Sequence, residues 1–250
     1  MIKNIKSQIR KNFNKIFWIT NPNIINIEIA VEKFFFDIFV IDYEHSLMTI
    51  EEIRSIIIFL NAKKIPILMR FAKNNINEIP KFLDFGIDGI IASEVSSNKQ
   101  LNIIKNIIFY PKKGSRGVGL GRMNNHGGEF KTYLKEINKN LVLLPMIEKN
   151  IHISEIENIY KDNDVDGCLI GPYDLSMSIG KPGDFYNSDF KKIENFILNM
   201  KKKYKKCAGL HFMDHDFNKF LIIKKKGFNF LPILTDVQFF KRGINFKIKK

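Results

Sequence analysis

Ile38-Phe39-Val40-Ile41 is apolar on both faces, and it runs without a break into Asp42-Tyr43-Glu44-His45. A short strand that is apolar on both faces fits a parallel sheet covered on either side. One that then ends in two acids and a histidine delivers chemistry at its C-terminal end. The same order recurs further along the chain. Ile67-Leu68-Met69 stops at Arg70, with Pro66 at its start, where proline is tolerated. The apolar segment 141–147 stops at Glu148, and segment 167–170 is followed by Gly171-Pro172-Tyr173-Asp174.

Working outward, strands are expected at 17–20, 38–42, 67–70, 89–91, 141–147, 167–170, 208–212 and 228–231. Helical periodicity falls between them at 23–33, 49–61, 76–85, 98–108, 154–160, 189–203 and 216–226, with a short helix after Pro172. Thr49 is the expected N-cap of its helix, with Glu51 and Glu52 in the first turn, and Gly86 ends the helix before it. Eight strands alternating with helices read as an α/β (β/α)8 TIM barrel, with a doubly wound open sheet as the alternative. No charge shift or linker divides residues 1–250, so one domain is expected. Only a short tail follows the last strand, so the eighth helix is read as incomplete or as completed by another subunit. Residues 110–128 break the rhythm with six glycines, and long loops in compact domains are usually functional.

The bulk composition narrows the classes. An apolar share of 45% supports a large core. No apolar run is long enough to span a membrane, and residues 1–15 lack the compact apolar stretch of a secretory signal. Cys168 and Cys207 lie in apolar, strand-like contexts and are read as buried free thiols of a cytoplasmic protein. The net charge of +14 would suit a nucleic-acid binder, but the lysines are scattered. Their runs at 201–203, 205–206 and 224–226 fall at helix ends, where cations favour the dipole, and are read as solvated. No nucleic-acid or membrane partner is expected.

In such a barrel the strand ends converge on one mouth. Glu148 and Asp174, from different strands, then make a pair suited to a hard ion that keeps several waters, the competing reading being a surface ion pair. Arg70 can grip a carboxylate or a developing oxyanion. His45 is the candidate base, because imidazole is the side chain suited to proton transfer at neutral pH, and Asp42, three residues earlier, is placed to fix its tautomer. His126 in the glycine-rich loop and His211 at the end of strand seven are weaker candidates. His152 and His215 have no convergent partners. Gly117-Val118-Gly119-Leu120-Gly121 is not preceded by the strand that a dinucleotide fingerprint needs. No lysine ends a strand, so a Schiff-base route has no nucleophile.

Taken together, Asp42-Tyr43-Glu44-His45, Arg70, Leu83-Asp84-Phe85-Gly86, Gly114-Ser115-Arg116-Gly117-Val118-Gly119, Met146-Ile147-Glu148 and Gly171-Pro172-Tyr173-Asp174-Leu175-Ser176 resemble the HpcH/HpaI aldolase/citrate lyase family over about residues 18–236. The resemblance implies a barrel of the phosphoenolpyruvate/pyruvate-domain type. It implies a class II aldolase that cleaves 4-hydroxy-2-oxo acids to pyruvate and an aldehyde through a metal-bound pyruvate enolate. Glu148 and Asp174 would hold Mg2+, Mn2+ or Co2+. Pyruvate would lie near Met146 and the backbone of Gly171, Pro172 and Tyr173. Arg70 would stabilise the enolate oxygen, and His45 would act as base through a metal-bound water, with Asp84 raising its basicity. A homo-oligomer, commonly a hexamer that exchanges C-terminal helices, is implied too. The chain departs from the family pattern at Met146, where glutamine is usual, at Ser46-Leu47 after the histidine, in the first strand, which lacks an early glycine, and around Ala92-Ser93-Glu94. These departures bear on substrate choice. The alternatives are a lyase acting on a CoA thioester of the malyl-CoA type, and a catalytically degenerate barrel scaffold.

Overall fold

The computed structural model describes residues 4–33, 35–149 and 151–244. Eight parallel strands close into a barrel in sequence order: β1 (Asn14–Ile19), β2 (Ile38–Asp42), β3 (Ile67–Phe71), β4 (Gly89–Ala92), β5 (Val142–Ile147), β6 (Gly167–Ile170), β7 (Cys207–Leu210) and β8 (Phe230–Pro232). The ring is completed by β1 pairing with β8, Asn14 opposite Phe230. The expected doubly wound alternative is thereby excluded.

The strands alternate with period two, and that period positions the site. Ile16 and Trp18, Ile38 and Val40, Leu68, Ile91, Val142, Leu144 and Met146, Leu169, Cys207 and Phe230 form one cluster inside the barrel. The intervening residues, such as Phe17, Phe39, Ile41, Met69 and Leu143, join the outer core beneath the helices. Continuing the inward parity past the apolar layers gives Asp42, Arg70, Glu148, Gly171 and His211.

Helices surround the ring: α1 (Lys6–Lys11), α2 (Ile24–Glu32), α3 (Ile50–Ala62), α4 (Ile79–Phe85), α5 (Asn98–Ile108), α6 (Phe130–Asn140), α7 (Ile153–Lys161), α8 (Pro172–Ser178), α9 (Ser188–Tyr204), α10 (Phe217–Lys226) and α11 (Asp236–Ile244). Thr49 and Glu52 form the capping box of α3, and Gly86 ends α4 at φ +132°, a conformation open to glycine. The stretch expected to be helical from residue 76 begins as a 3-10 turn, Lys73–Glu78.

Three helices depart from expectation, of which α6 was not anticipated at all. α1 stands before the barrel and inserts Ile5 and Ile9 into its interior cluster, plugging the end opposite the strand termini. Asn229 secures the plug by donating to the carbonyls of Ile9 (2.8 Å) and Asn12 (3.1 Å), and buried Asp166 pairs with Lys6 and Arg10. The tail is also more than a stub. α11 packs on its own barrel, with Phe239 against Phe17 and Phe36, and its first residue Asp236 accepts from Thr20 and Asn21 at the rim. Residues 245–250 of that tail lie outside the described residues.

The lysine runs are only partly solvated. Lys201 donates to the Gly227 carbonyl at 2.6 Å. Lys206 is buried, bonds the Asp162 carbonyl, and is lowered to about 8 by burial and by the charge of Arg10. Both cysteines are buried free thiols, as expected, and burial raises Cys168 to about 12. No described helix is long and apolar enough to cross a membrane.

The plug carries a testable consequence. Ile9 is fully buried, so Ile9→Ala removes its methyl groups from a closed layer and leaves a cavity. A loss of about 2–4 kcal/mol in urea unfolding is expected. A change under 1 kcal/mol would show that α1 rests on the barrel without sealing it.

Candidate active site at the barrel mouth

The inward-facing ends of the strands line a cavity of about 260 Å³, bounded by Trp18, Thr20, Asp42, His45, Arg70, Met146, Gly171, Pro172, Tyr173, Asp174, His211, Met213 and Thr235. Every residue expected to touch substrate therefore reaches one space. No lysine lines it.

Arg70 is its best-held group. β2 and β3 pair Asp42 with Arg70 in register. The guanidinium meets the Asp42 carboxylate as a fork, Nε to Oδ1 at 3.0 Å and Nη2 to Oδ2. Its third nitrogen, Nη1, lies 3.3 Å from Glu44 Oε2, and the group stacks over Trp18 at 5.2 Å. Trp18 Nε1 also donates to Asp42, at 3.1 Å. Burial pushes the Asp42 carboxyl upward, but Arg70's charge and hydrogen bonds outweigh it and hold the group below its ordinary range.

This changes the part given to Asp42. Its oxygens are occupied by Arg70, Trp18 and the backbone N–H groups of Glu44 and His45. It fixes the fork and the turn that carries His45, and no bond joins it to the imidazole among the described residues. His45 itself is exposed at the edge of the cavity.

Glu148 does not line that cavity but is buried beside it, behind Gly171, 6% exposed, with Oε1 accepting from the backbone N–H of Glu94. Burial raises its carboxyl, the Glu94 hydrogen bond lowers it, and the charges of Glu44 and Asp174 raise it further, to about 7. Arg70 acts on it in the opposite sense. Glu148, Asp174, Glu44 and Arg70 thus share one electrostatic neighbourhood. Gly171 is packed against this group: a Cβ there would sit 3.2 Å from Glu148 Oε2 and 3.1 Å from the Met146 terminal methyl. Glycine lets the β6–α8 turn approach the carboxylate.

Glu44 was not singled out from sequence. Its Oε2 is buried, near Arg70 Nη1 but without a hydrogen bond among the described residues. The inward parity of Ile38, Val40 and Asp42, extended by two, points to it.

Asp84 lies elsewhere in this chain. It sits on α4 beneath the glycine-rich segment, paired with buried Arg116 and 3.4 Å from the Tyr110 hydroxyl. A Cβ at Gly119 would stand 2.3 Å from Asp84 Oδ2, and one at Gly121 2.6 Å from the Asp84 carbonyl. Those glycines let the loop wrap this helix. No bond links Asp84 to His45 among the described residues. His126 is exposed on the same loop, His152 caps α7 by accepting from the Ser154 N–H, and His215 is exposed beside Asp214. His211 does reach the mouth.

Residues 16–234 match the model of the HpcH/HpaI aldolase/citrate lyase family. The chain belongs to this family. Among its HpcH/HpaI relatives is the 2-keto-3-deoxy-L-rhamnonate aldolase of Klebsiella pneumoniae, 25% identical over 91% of this chain and 85% of that protein. An HpcH/HpaI aldolase/citrate lyase family protein from Burkholderia cenocepacia superposes with a TM-score of 0.87 at 20% identity, covering 97% and 96% of the two chains. The CitE protein of Mycobacterium tuberculosis, solved in complex with magnesium and pyruvate, superposes with a TM-score of 0.57 at 11% identity, covering 92% and 88%.

Proposed function

We propose that this HpcH/HpaI protein is a divalent-metal-dependent, class II pyruvate aldolase that cleaves 4-hydroxy-2-oxo acids to pyruvate and an aldehyde. One observation carries the reading: a forked guanidinium and a set of carboxylates crowd together at and just behind one barrel mouth. The named activity of the Klebsiella relative and the magnesium and pyruvate in the Mycobacterium structure support it.

The residues fit a hard cation. Among the described residues no three His, Cys, Asp or Glu side chains form a ready cage, so much of the shell would be left to water and substrate. Glu148 is nonetheless held up to about 7 by burial and its acidic neighbours, and Glu44 Oε2 is buried with the Arg70 guanidinium beside it but no hydrogen bond among the described residues. Such a group of oxygens is relieved by positive charge. Glu148 and Asp174 would hold the ion, with Glu44 facing its waters. Bound there, it supplies Lewis-acid polarisation of the substrate's keto oxygen.

The chain's own residues do the rest. His45 takes the proton of the C4 hydroxyl. The C3–C4 bond breaks, its electron pair passes into C2–C3, and the C2 carbonyl electrons move onto oxygen. Arg70, already aimed by Asp42 and Trp18, meets that developing charge with a fixed donor. His45 returns the proton to C3, giving the methyl group of pyruvate. Gly171, Pro172 and Tyr173 wall the substrate, with Met146 giving an apolar contact.

The test is pyruvate release from a panel of 4-hydroxy-2-oxo acids. Release stops in excess chelator and returns with Mg2+, Mn2+ or Co2+. Undiminished cleavage with the chelator present would remove the reading. No structural observation favours thioester cleavage or a non-catalytic scaffold over it.

A further inference from the structure

His211 follows Cys207 and Gly209 on the inward parity of β7 and ends in the mouth cavity. Its ring packs on Trp18 at a centroid distance of 4.7 Å, beside the tryptophan that carries Arg70. Nε2 lies 2.9 Å from the Leu234 carbonyl. A carbonyl only accepts, so Nε2 is the donor and the tautomer is set. The anchor is firm. Leu234 holds a left-handed φ of +53°, costly for a leucine, and its own N–H is bonded to Phe212 at 2.9 Å.

With Nε2 occupied, Nδ1 is left as a neutral acceptor. Burial and the charge of Arg70 outweigh the Leu234 bond and Asp42, lowering the imidazole to about 4, so it stays uncharged at neutral pH. Nδ1 makes no hydrogen bond among the described residues. Nor is it sealed away, because the shut-in orphan atoms among those residues belong to Glu44, Asn75 and Arg116. It therefore keeps accessible surface, on a ring that lines both the mouth cavity and the adjoining cavity beside Phe185 and Phe190.

Several other polar groups of the mouth are committed. Asp42 is filled by Arg70, Trp18 and backbone, Thr20 donates to Asp236 at 2.5 Å, and Thr235 accepts from Gln238. His211 and Met213 both line the cavity wall.

We propose that His211 determines the aldehyde specificity: Nδ1 accepts a hydrogen bond from a hydroxyl on the aldehyde fragment, selecting hydroxyaldehydes over plain alkyl aldehydes. This rests on the aldolase reading above. A neutral acceptor cannot satisfy a methyl group, and a buried polar atom left unpaired is costly, so discrimination comes from both sides.

Glycolaldehyde and propanal form the matched pair, differing by hydroxyl for methyl. Condensation of each with pyruvate is followed for the unsubstituted protein, His211→Leu and His211→Gln. The unsubstituted protein is expected to favour glycolaldehyde about tenfold in kcat/KM, through KM. In His211→Leu that ratio falls to about one, again through the KM for glycolaldehyde. His211→Gln recovers most of it, since its amide can donate to Leu234 and still accept. An unsubstituted ratio near one, or a ratio that survives in His211→Leu, overturns the proposal. Should the leucine variant fail to fold, the unsubstituted ratio and the glutamine variant decide. Exchange of the pyruvate methyl protons with D2O, without aldehyde, reads the enolate step alone. Exchange with no hydroxyl preference removes only the role of His211, whereas no exchange in the metal-loaded protein removes the aldolase reading together with it.

Discussion

Glu148→Gln is expected to abolish pyruvate release and yet stabilise the cation-free protein at pH 8. The folded carboxyl titrates at about 7, against an ordinary value of 4.5. Between those values the unfolded chain binds fewer protons than the folded one, so stability falls as pH rises through the window and the penalty is complete above it. A shift of that size is worth on the order of 3 kcal/mol. Glutamine carries no charge and still offers an oxygen to the Glu94 N–H. Its melting temperature at pH 8 should exceed that of the unsubstituted protein by roughly 6–10 °C, and the gap should nearly close at pH 5. Added Mg2+ or Mn2+ should raise the unsubstituted protein's melting temperature increasingly above pH 7 and leave the variant unmoved. Activity should drop by about 10²–10³-fold, the several kcal/mol that a Lewis acid contributes. Equal melting temperatures at pH 8 would show that Glu148 is not held in the strained state described.

Arg70→Ala carries the second large effect, and it acts on both stability and chemistry. Asp42 is 2% exposed and loses its paired cation, so an uncompensated charge stays buried. A cost of about 3–5 kcal/mol is expected on unfolding in urea. Cleavage should fall by about 10²–10³-fold from loss of the oxyanion donor. Arg70→Lys keeps the charge but not the two-pronged contact, and should recover little. The two effects separate in the double change Arg70→Met with Asp42→Asn. Stability should return in part, because Asp42 is no longer a lone buried charge although Glu44 still loses its cation, while cleavage should not return. Activity in that double variant would show that the guanidinium is structural.

The parts of the fold that were legible are those whose signals are local. β2, β6 and α5 have the boundaries their sequence predicts, because apolar runs, caps and glycine stops specify them residue by residue. α1 was not seen. Its apolar contribution is Ile5 and Ile9, hidden among Lys6, Arg10 and Lys11, and its helicity depends on a barrel interior only the closed ring creates. α6 was missed for a similar reason, with Tyr133 and Ile137 as its buried face beside a glycine-rich stretch that drew attention away. In the site, strand-end positions identified Arg70, Glu148 and Asp174 because a barrel sends every such end to one rim. The partnership of Asp42 was misread, since sequence proximity favoured His45, whereas the register between neighbouring strands delivers Arg70. Glu44 and the anchoring of His211 depend on parity and on a loop 23 residues further on, which no local pattern encodes.

Ring closure joins Asn14 to Phe230, so the first strand has no lateral neighbour on one side until almost the whole chain exists. At ordinary synthesis speeds that interval is roughly 10–40 s. Through it the nascent β1 presents an open row of backbone donors and acceptors beside Phe17, Trp18 and Ile19, a template for pairing with other polypeptides. Lys11 and Lys15 flank this edge and discourage such pairing. The clasp of Asp236 on Thr20 and Asn21 consequently forms only after the eighth strand is made, and truncation before that strand leaves the ring open.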